Sequence, residues 1–211
     1  MIIDSTYFSG KELYIPNMVL QPSIGNNNVN LSCSIMQEIE EKESELILDI
    51  LGFSQATELY NQFEQDGSWK TTALQKWIDL VDGKDEWRGL RYSVGGKKIS
   101  LIAYYIFFYY LANDYHTYST TGMQIAKSEN AYLQCPSIKQ VSVWNKFIKM
   151  YIGNIMINKV HFAENWNGTS MSFNGINLTN EVSLYDFLTK NKDVYDISFF
   201  KGKTVINYFG L

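Results

Sequence analysis

The segment ISLIAYYIFFYYLA, residues 99–112, determines the fold class of this chain. Its apolar side chains fall on several sides of a helix, and a helix that is apolar all round must be covered all round. At about 1.5 Å per residue the segment spans only about 21 Å, which is short of the roughly 30 Å hydrocarbon core of a bilayer. We therefore expect a buried central helix and not a membrane span.

The aromatic side chains of this helix form stripes that a small protein cannot easily cover by itself. Tyr105 and Tyr109 lie on one of these stripes, one helical turn apart. Within a single small bundle, neighbouring helices seldom cover every side of a central helix. Either later segments of the chain or a second subunit must therefore complete the cover.

Further helices are predicted on both sides of this segment. Apolar residues recur at helical spacing in each of them. Ser34 with Gln37, and Ser137 with Gln140, have the spacing of a capping box, which marks the start of a helix. Gly52 can end the first helix, because glycine readily adopts the conformation that follows a helix terminus. The predicted helices cover residues 34–52, 55–65, 70–82 and 137–158.

Three other regions complete the predicted organisation. Residues 1–32 contain two prolines and no sustained helical period, so an extended N-terminal arm is expected. Residues 114–136 form a long polar loop, and residues 159–211 form a C-terminal extension rich in turn signals. The expected fold is mainly α: a helical bundle core over 33–158 with a protruding inter-helix loop, the arm and a small mixed α/β extension. The extension should hold a helix at 182–191 and strands at 194–200 and 203–208.

The composition is that of a globular protein with an acidic balance. Of the 211 residues, 45% are apolar and 19% are charged, and the formal net charge is −4. This charge disfavours a nucleic-acid-binding module, which normally presents a basic face. A mildly acidic surface is compatible with a channel through which nucleic acid passes without binding. No basic segment followed by an apolar one opens the chain, so no secretory signal peptide is expected.

The residue types that usually carry chemistry are few and scattered. His116 and His161 are the two histidines, and neither the H-x-x-x-H nor the C-x-x-C spacing of a zinc site occurs. The sequence GKT at 202–204 ends like a phosphate-binding loop, but Ile197 occupies the position of its first glycine. We therefore expect no enzyme, no metal and no cofactor.

Cysteine chemistry is the alternative that spacing leaves open. Cys33 and Cys135 are far apart in sequence and make no disulfide framework, so free thiols are expected. Either thiol could meet a histidine in the fold and form a nucleophilic pair. A Cys/His hydrolase is therefore the alternative from a different functional class.

A series of short motifs, met in order along the chain, resembles a known family. The motifs are LILDILG at 46–52, Leu59-Tyr60, Trp77, WRGL at 87–90, SLIAYY at 100–105, Thr121-Gly122, Glu129-Asn130-Ala131, Trp144-Asn145 and Phe209-Gly210-Leu211. This series resembles the head–tail connector proteins (adaptor or ring proteins) of tailed bacteriophages, in the form found in crAss-like phages. The resemblance spans roughly residues 35–150 closely and the termini more loosely.

The resemblance implies a structural virion protein. A small helical-bundle subunit would assemble as a homo-oligomeric ring beneath the portal protein, continue the DNA channel and dock the next tail component. Its implied partners are copies of itself, the portal protein, adjacent neck and tail ring proteins, and genomic DNA that passes through the lumen without sequence-specific binding; no membrane is implied. The implied location is the virion neck, after synthesis in the cytoplasm of the host bacterium. A tail-completion or stopper protein of the same neck is the nearest alternative.

Two groups of residues are candidates for contacts with other subunits or partners. Tyr105 and Tyr109, or Trp87 and Leu90, are expected at or near the interface between ring subunits, with burial in the subunit's own core as the alternative. The loop 114–136 is expected to contact portal or tail, because so long a loop without structure of its own is usually functional or disordered. Its anchors would be Tyr115, Tyr118, Met123 and Tyr132.

Overall fold

The computed structural model describes residues 1–10, 12–15, 29–64, 66–114, 117–119, 122–124, 137–153, 170–173, 176–179 and 182–204. Within these residues the protein is mainly α-helical, which confirms the predicted fold class at that level. The helices are α1 (Val29–Tyr60), α2 (Gln75–Asp82), α3 (Leu101–Asp114), α4 (Ser137–Tyr151) and α5 (Leu184–Lys190), preceded by a 3₁₀ helix at Ser5–Phe8. Three antiparallel hairpins pair β1 (Arg91–Val94) with β2 (Lys97–Ser100), β3 (Thr117–Ser119) with β4 (Gly122–Gln124), and β5 (Ser170–Phe173) with β6 (Ile176–Thr179).

Helix α3 lies at the centre of the core, as its sequence predicts. Ser100 caps its first turn, since Ser100 Oγ accepts hydrogen bonds from the amides of Ile102 and Ala103 at 3.1 and 3.4 Å. Every side chain from Leu101 to Phe107 is buried, whereas residues 108–112 are half-buried. Helices α1 and α4 pack against α3, so segments of the same chain supply this cover. Among the described residues, no helix is both long enough and apolar enough to cross a bilayer.

Aromatic rings join α3 to α4. The ring of Trp144 lies 4.6 Å from that of Phe108 and 5.1 Å from that of Phe147, measured between centroids. The ring of Tyr105 lies 5.2 Å from that of Phe147. All three pairs are tilted, and tilted pairs at this separation contribute about 0.5–1.5 kcal/mol each beyond the burial of their area. The contact between α3 and α4 is therefore an aromatic core.

The beginning of the chain belongs to the core, which corrects the expectation of an extended arm for residues 1–10 and 12–15. The carboxylate of Glu43 on α1 accepts hydrogen bonds from Ile2 N at 2.9 Å and from Ile3 N at 3.1 Å. Burial raises the pKa of Glu43, and these hydrogen bonds oppose that rise. Apolar side chains along this segment are buried: Ile2, Ile3, Phe8, Leu13 and Ile15.

The helix boundaries differ in places from the predicted ones. Helix α1 begins at Val29, so Ser34 lies inside it and not at its start. Gly52 has non-helical backbone angles that divide α1 into two helical segments, so the predicted end of the first helix at Gly52 is confirmed. The second segment ends at Tyr60, earlier than the end predicted at residue 65. Helix α2 begins at Gln75, later than predicted, and is followed by Gly83 as predicted. Helix α4 is described as far as Tyr151, and the predicted end at 158 lies outside the described residues.

A turn and a hairpin, both built on glycines, lead into α3. Gly89 has φ 92°, and a Cβ there would lie 2.5 Å from the carbonyl oxygen of Val81. Gly95 and Gly96 both have positive φ, as a two-residue type I′ turn requires, and they connect β1 to β2. This hairpin is not predicted from the sequence, because strands of four residues carry too short a pattern to be recognised.

The predicted loop at 114–136 contains a short hairpin formed by β3 and β4. Its remaining residues from 115 onward lie outside the described residues. The predicted C-terminal helix at 182–191 is confirmed as α5, which begins with a capping box. There, Ser183 Oγ accepts a hydrogen bond from Asp186 N at 3.2 Å, and Ser183 N donates to Asp186 Oδ2 at 3.2 Å.

The strand predicted at 194–200 is wrong. Turns occupy this segment, with hydrogen bonds from Val194 N to Asn191 O at 2.9 Å and from Phe200 N to Ile197 O at 3.1 Å. Its apolar side chains therefore do not alternate between two faces of a sheet. Of the strand predicted at 203–208, only residues 203 and 204 are described, and they are not in a strand.

Candidate interaction surface

Helix α1 changes direction at Gly52, and this bend organises the surface around it. Gly52 has φ 69° and ψ 173°, a conformation that is essentially confined to glycine. The ring of Phe199 lies directly against it, since a Cβ at Gly52 would be 2.6 Å from Phe199 Cγ. Two independent constraints, the backbone angles and the covering ring, therefore require glycine at this position.

Three large apolar side chains are exposed around the bend. Leu48, one helical turn before Gly52, is 41% exposed, Phe53 is 78% exposed and Phe199 is 56% exposed. Single exposed apolar residues are ordinary, but neighbouring ones form patches that mark binding sites. We call Leu48, Phe53 and Phe199 the kink patch. It is the feature of the described surface that best fits a contact with another protein.

An irregular segment, residues 196–204, carries one ring of the kink patch across α1 and α4; we call it the strap. Lys201 N donates a hydrogen bond to Asp49 O at 2.9 Å, and Lys201 O accepts one from the hydroxyl of Tyr151 at 2.8 Å. The side-chain amide of Gln55 makes two hydrogen bonds, at 2.9 and 3.2 Å, with the backbone at the start of the strap. Hydrogen bonds to two helices therefore fix the path of this segment although it has no regular structure.

Asp49 anchors the strap electrostatically. Its carboxylate accepts hydrogen bonds from Lys201 Nζ at 2.6 Å and from Lys203 Nζ at 3.0 Å. The side chains of Asp49 and Lys203 are 13% and 16% exposed, whereas that of Lys201 is 70% exposed. Burial by itself raises the pKa of Asp49, but the hydrogen bonds from the two lysines outweigh it and hold the pKa below its ordinary value. Lys203 Nζ also lies 5.3 Å from the centre of the Tyr105 ring, which links the strap to the aromatic core.

We expect Asp49→Asn to lower the free energy of unfolding by about 1.5–3 kcal/mol at neutral pH, the range for a hydrogen bond to a charged group. Because the pKa of Asp49 is lower in the folded state, its contribution is present above about pH 4 and is lost as the pH falls through the folded-state pKa. Thermal unfolding followed by circular dichroism should therefore separate the variant from the wild type at neutral pH and bring the two together in acid. Equal stability at neutral pH would contradict this role.

Lys201 and Lys203 both pair with Asp49 but differ in exposure, so substitutions of the two lysines can be compared directly. We expect Lys203→Met to lower the free energy of unfolding more than Lys201→Met does, because an exposed ion pair contributes only about 0–1 kcal/mol. Urea unfolding of the two variants measures the difference directly. The reverse order would mean that burial of the Lys203 pair does not strengthen it.

A second surface feature is a groove of about 810 Å³ between the N-terminal segment, the β1–β2 hairpin and α3. The rings of Tyr7 and Tyr104 and the side chain of Ile99 line it. Lys97, which also lines it, is exposed and has no ion pair among the described residues, whereas Lys98 Nζ is paired with Asp4 at 3.3 Å. We call this feature the hairpin groove. It offers aromatic walls and one cation that no described carboxylate neutralises.

Three of the predicted contact residues are buried in the core, which corrects their expected place at the surface. Leu90 and Tyr105 are 0% exposed and Trp87 is 5% exposed. Trp87 Nε1 donates a hydrogen bond to Leu80 O at 2.9 Å, and its ring stacks on that of Phe187 at 5.6 Å. These residues pack within the subunit, in agreement with the alternative expectation of burial in its core, and they are not available for contacts with a neighbour.

For the other predicted contact residues, a role in contacts with other subunits stays a prediction. Tyr109 is half-buried at the edge of the core, with its ring 4.9 Å from that of Tyr105 and Lys42 Nζ 4.8 Å from its centre. Tyr118 and Met123 occupy paired positions on β3 and β4, so the backbone brings them together. Tyr115 and Tyr132 lie outside the described residues.

The kink patch was not predicted from the sequence. The Phe199-Phe200 doublet in a turn-rich segment is a signal of an unusual apolar site, but the strand prediction at 194–200 accounts for it in another way. Phe53 follows the glycine that was expected to end a helix and belongs to no predicted element. Only the packing of Phe199 against Gly52 brings these residues, distant in sequence, into one patch.

Potential metal-ligating side chains are not grouped in the part of the chain that the structure describes. There, no group of three His, Cys, Asp or Glu residues could hold a metal ion. Burial raises the pKa of Tyr105 and of Tyr151, so these phenols remain protonated hydrogen-bond donors. His116, His161 and Cys135 lie outside the described residues, and the side chain of Cys33 is not described, so the Cys/His alternative stays a prediction.

Together the fold and the surface define a mainly helical protein that presents an exposed aromatic patch on a bent helix. The chain matches no protein-family model, and no characterised protein or solved structure is significantly similar to it.

Proposed function

We propose that this protein is a structural subunit of a tailed-bacteriophage virion, which forms a head–tail connector ring between the portal and the tail. The observation that supports the proposal is the kink patch: Phe53, which directly follows Gly52, is 78% exposed, and the strap holds the ring of Phe199 against Gly52. Aromatic side chains held in fixed positions are typical anchors of protein interfaces. The ordered motifs that resemble connector proteins supply the class of assembly.

The finer architecture belongs to the same proposal. Helices α1, α3 and α4 would form the helical bundle of one ring subunit, since α3 packs against both of the others. The β3–β4 hairpin would reach the portal or the next tail component. Its contacts would come from Tyr118 and Met123, with Tyr115 and Tyr132 as further anchors.

The charge of the chain fits a passage for DNA more closely than a binding site for it. A protein that binds DNA through its phosphates carries a basic face and binds less tightly as salt increases. This chain has a net charge of −4, which is compatible with a ring whose lumen lets DNA slide without holding it. We therefore propose genomic DNA as a passing partner without sequence-specific contacts.

Quantitative mass spectrometry of purified virions, combined with cross-linking, tests the proposal. We expect this chain at the same copy number as the portal protein, with cross-links from the chain to portal. Cross-links to a distal neck protein and none to portal would favour the stopper alternative. Absence of the chain from the particle would contradict every structural role in the virion.

A further inference from the structure

A closed ring of identical subunits needs two different complementary surfaces on each copy, because its interfaces join head to tail. One surface of each subunit must be able to insert, and another must be able to receive. The kink patch and the hairpin groove have these opposite shapes. They also share no residue, so one subunit could use both at once.

The kink patch carries an acidic group at its border. Asp196 begins the strap three residues before Phe199, and its backbone bonds to Gln55, two residues after Phe53. The Asp196 carboxylate accepts a hydrogen bond from Ser198 N at 2.9 Å, and its bonds to Ser198 lower its pKa, so it is ionised at neutral pH. Within the described part of the chain this carboxylate has no ion pair.

The hairpin groove carries the opposite charge. Its other charged groups are largely neutralised: Lys98 pairs with Asp4, while Glu12 pairs with Lys146 and also accepts a hydrogen bond from the Tyr104 hydroxyl at 3.1 Å. Lys97 also lines the groove, and it has no ion pair among the described residues. The volume of about 810 Å³ falls within the range of about 300–1,000 Å³ of ligand pockets and leaves room for two phenyl rings.

We infer that the kink patch of one copy docks into the hairpin groove of the next copy, with Phe53 and Phe199 inserted between the groove's aromatic walls and Asp196 facing Lys97. The occupant of the groove is thus a second copy of this chain. The inference rests on the proposed ring function and specifies the interface that closes the ring. Apolar insertion supplies the contact area, and the ion pair fixes which surface meets which.

Charge reversal tests this pairing with the full-length chain. We expect sedimentation velocity to show reversible self-association of the wild type as its concentration increases. Lys97→Glu and Asp196→Lys should each weaken that association at least roughly tenfold, because each places like charges opposite one another. The double variant, and an equal mixture of the two single variants, should both recover it. Glu86→Lys, a matched change of charge at an exposed turn position outside both surfaces, should have no effect.

Phe53→Ser tests the apolar part of the contact independently of the ion pair. Since Phe53 is mostly exposed, the variant should fold normally and yet fail to self-associate. Association of both single charge variants at wild-type strength would overturn the pairing. The pairing would also be overturned if the wild-type chain stayed monomeric up to its solubility limit. It would be overturned as well if Phe53→Ser left self-association unchanged and abolished binding to another virion protein.

The inference and the proposed function fail in different experiments. If virions contain the chain at the portal copy number while particles carrying Lys97→Glu assemble normally, the pairing is wrong and the connector function stands. If the chain is absent from virions, the connector function is wrong, whatever the self-association measurements show.

Discussion

Tyr105→Ala lowers the free energy of unfolding by about 3–5 kcal/mol, the loss expected when a large buried aromatic side chain is truncated. Tyr105 is fully buried, and its ring packs against those of Tyr109, Trp144 and Phe147. Its hydroxyl donates a hydrogen bond to Glu45 Oε1 at 3.0 Å, which the variant also loses. Urea unfolding followed by circular dichroism measures the change.

Phe53→Ala is the matched control for this truncation. It removes a ring of similar size from a side chain that is 78% exposed, so we expect a change of no more than about 0.5 kcal/mol. The two variants together separate core aromatic residues from surface ones. If Tyr105→Ala left stability unchanged and blocked assembly instead, Tyr105 would belong to an interface and the packing around α3 would be wrong.

Gly52→Ala is expected to lower the free energy of unfolding by about 2–6 kcal/mol. About 1–3 kcal/mol comes from forcing a residue with a Cβ into φ 69° and ψ 173°. About 1–3 kcal/mol more comes from overpacking, because the new methyl group would overlap the ring of Phe199 at 2.6 Å. Thermal and urea unfolding of the variant measure the sum of these two contributions.

A second substitution separates the two contributions at Gly52. Phe199→Ala removes the overlapping ring, so the double variant Gly52→Ala/Phe199→Ala should recover the overpacking part and keep the backbone strain. Gly10→Ala is the control for adding a methyl group, since a Cβ at Gly10 meets nothing within 4 Å. A Gly52→Ala protein as stable as the wild type would mean that the bend in α1 does not depend on glycine.

Tyr105 and Gly52 both help to hold the kink patch in place. Tyr105 connects the aromatic core to Lys203 of the strap, and the strap places Phe199 over Gly52. Loss of either support should therefore disturb the patch as well as the stability of the subunit. A connector whose contact surface rests on its core would assemble only when correctly folded.

The sequence by itself determined the features that depend on neighbouring residues. The central helix α3 follows from an apolar segment too long to be left exposed and too short to span a bilayer. The end of α2 at Gly83 and the short helix α5 follow from side-chain and backbone preferences within a few neighbouring residues. Such signals are local, so they can be recognised before any packing is known.

Only the tertiary structure decided which aromatic residues lie inside and which lie outside. Tyr105 and Phe53 are both large aromatic residues within helices, yet one is fully buried and the other is mostly exposed. The N-terminal segment likewise belongs to the core because Glu43, far along the chain, accepts the hydrogen bonds of Ile2 and Ile3. Burial depends on contacts between residues distant in sequence, and a local pattern contains no information about which distant segment will supply them.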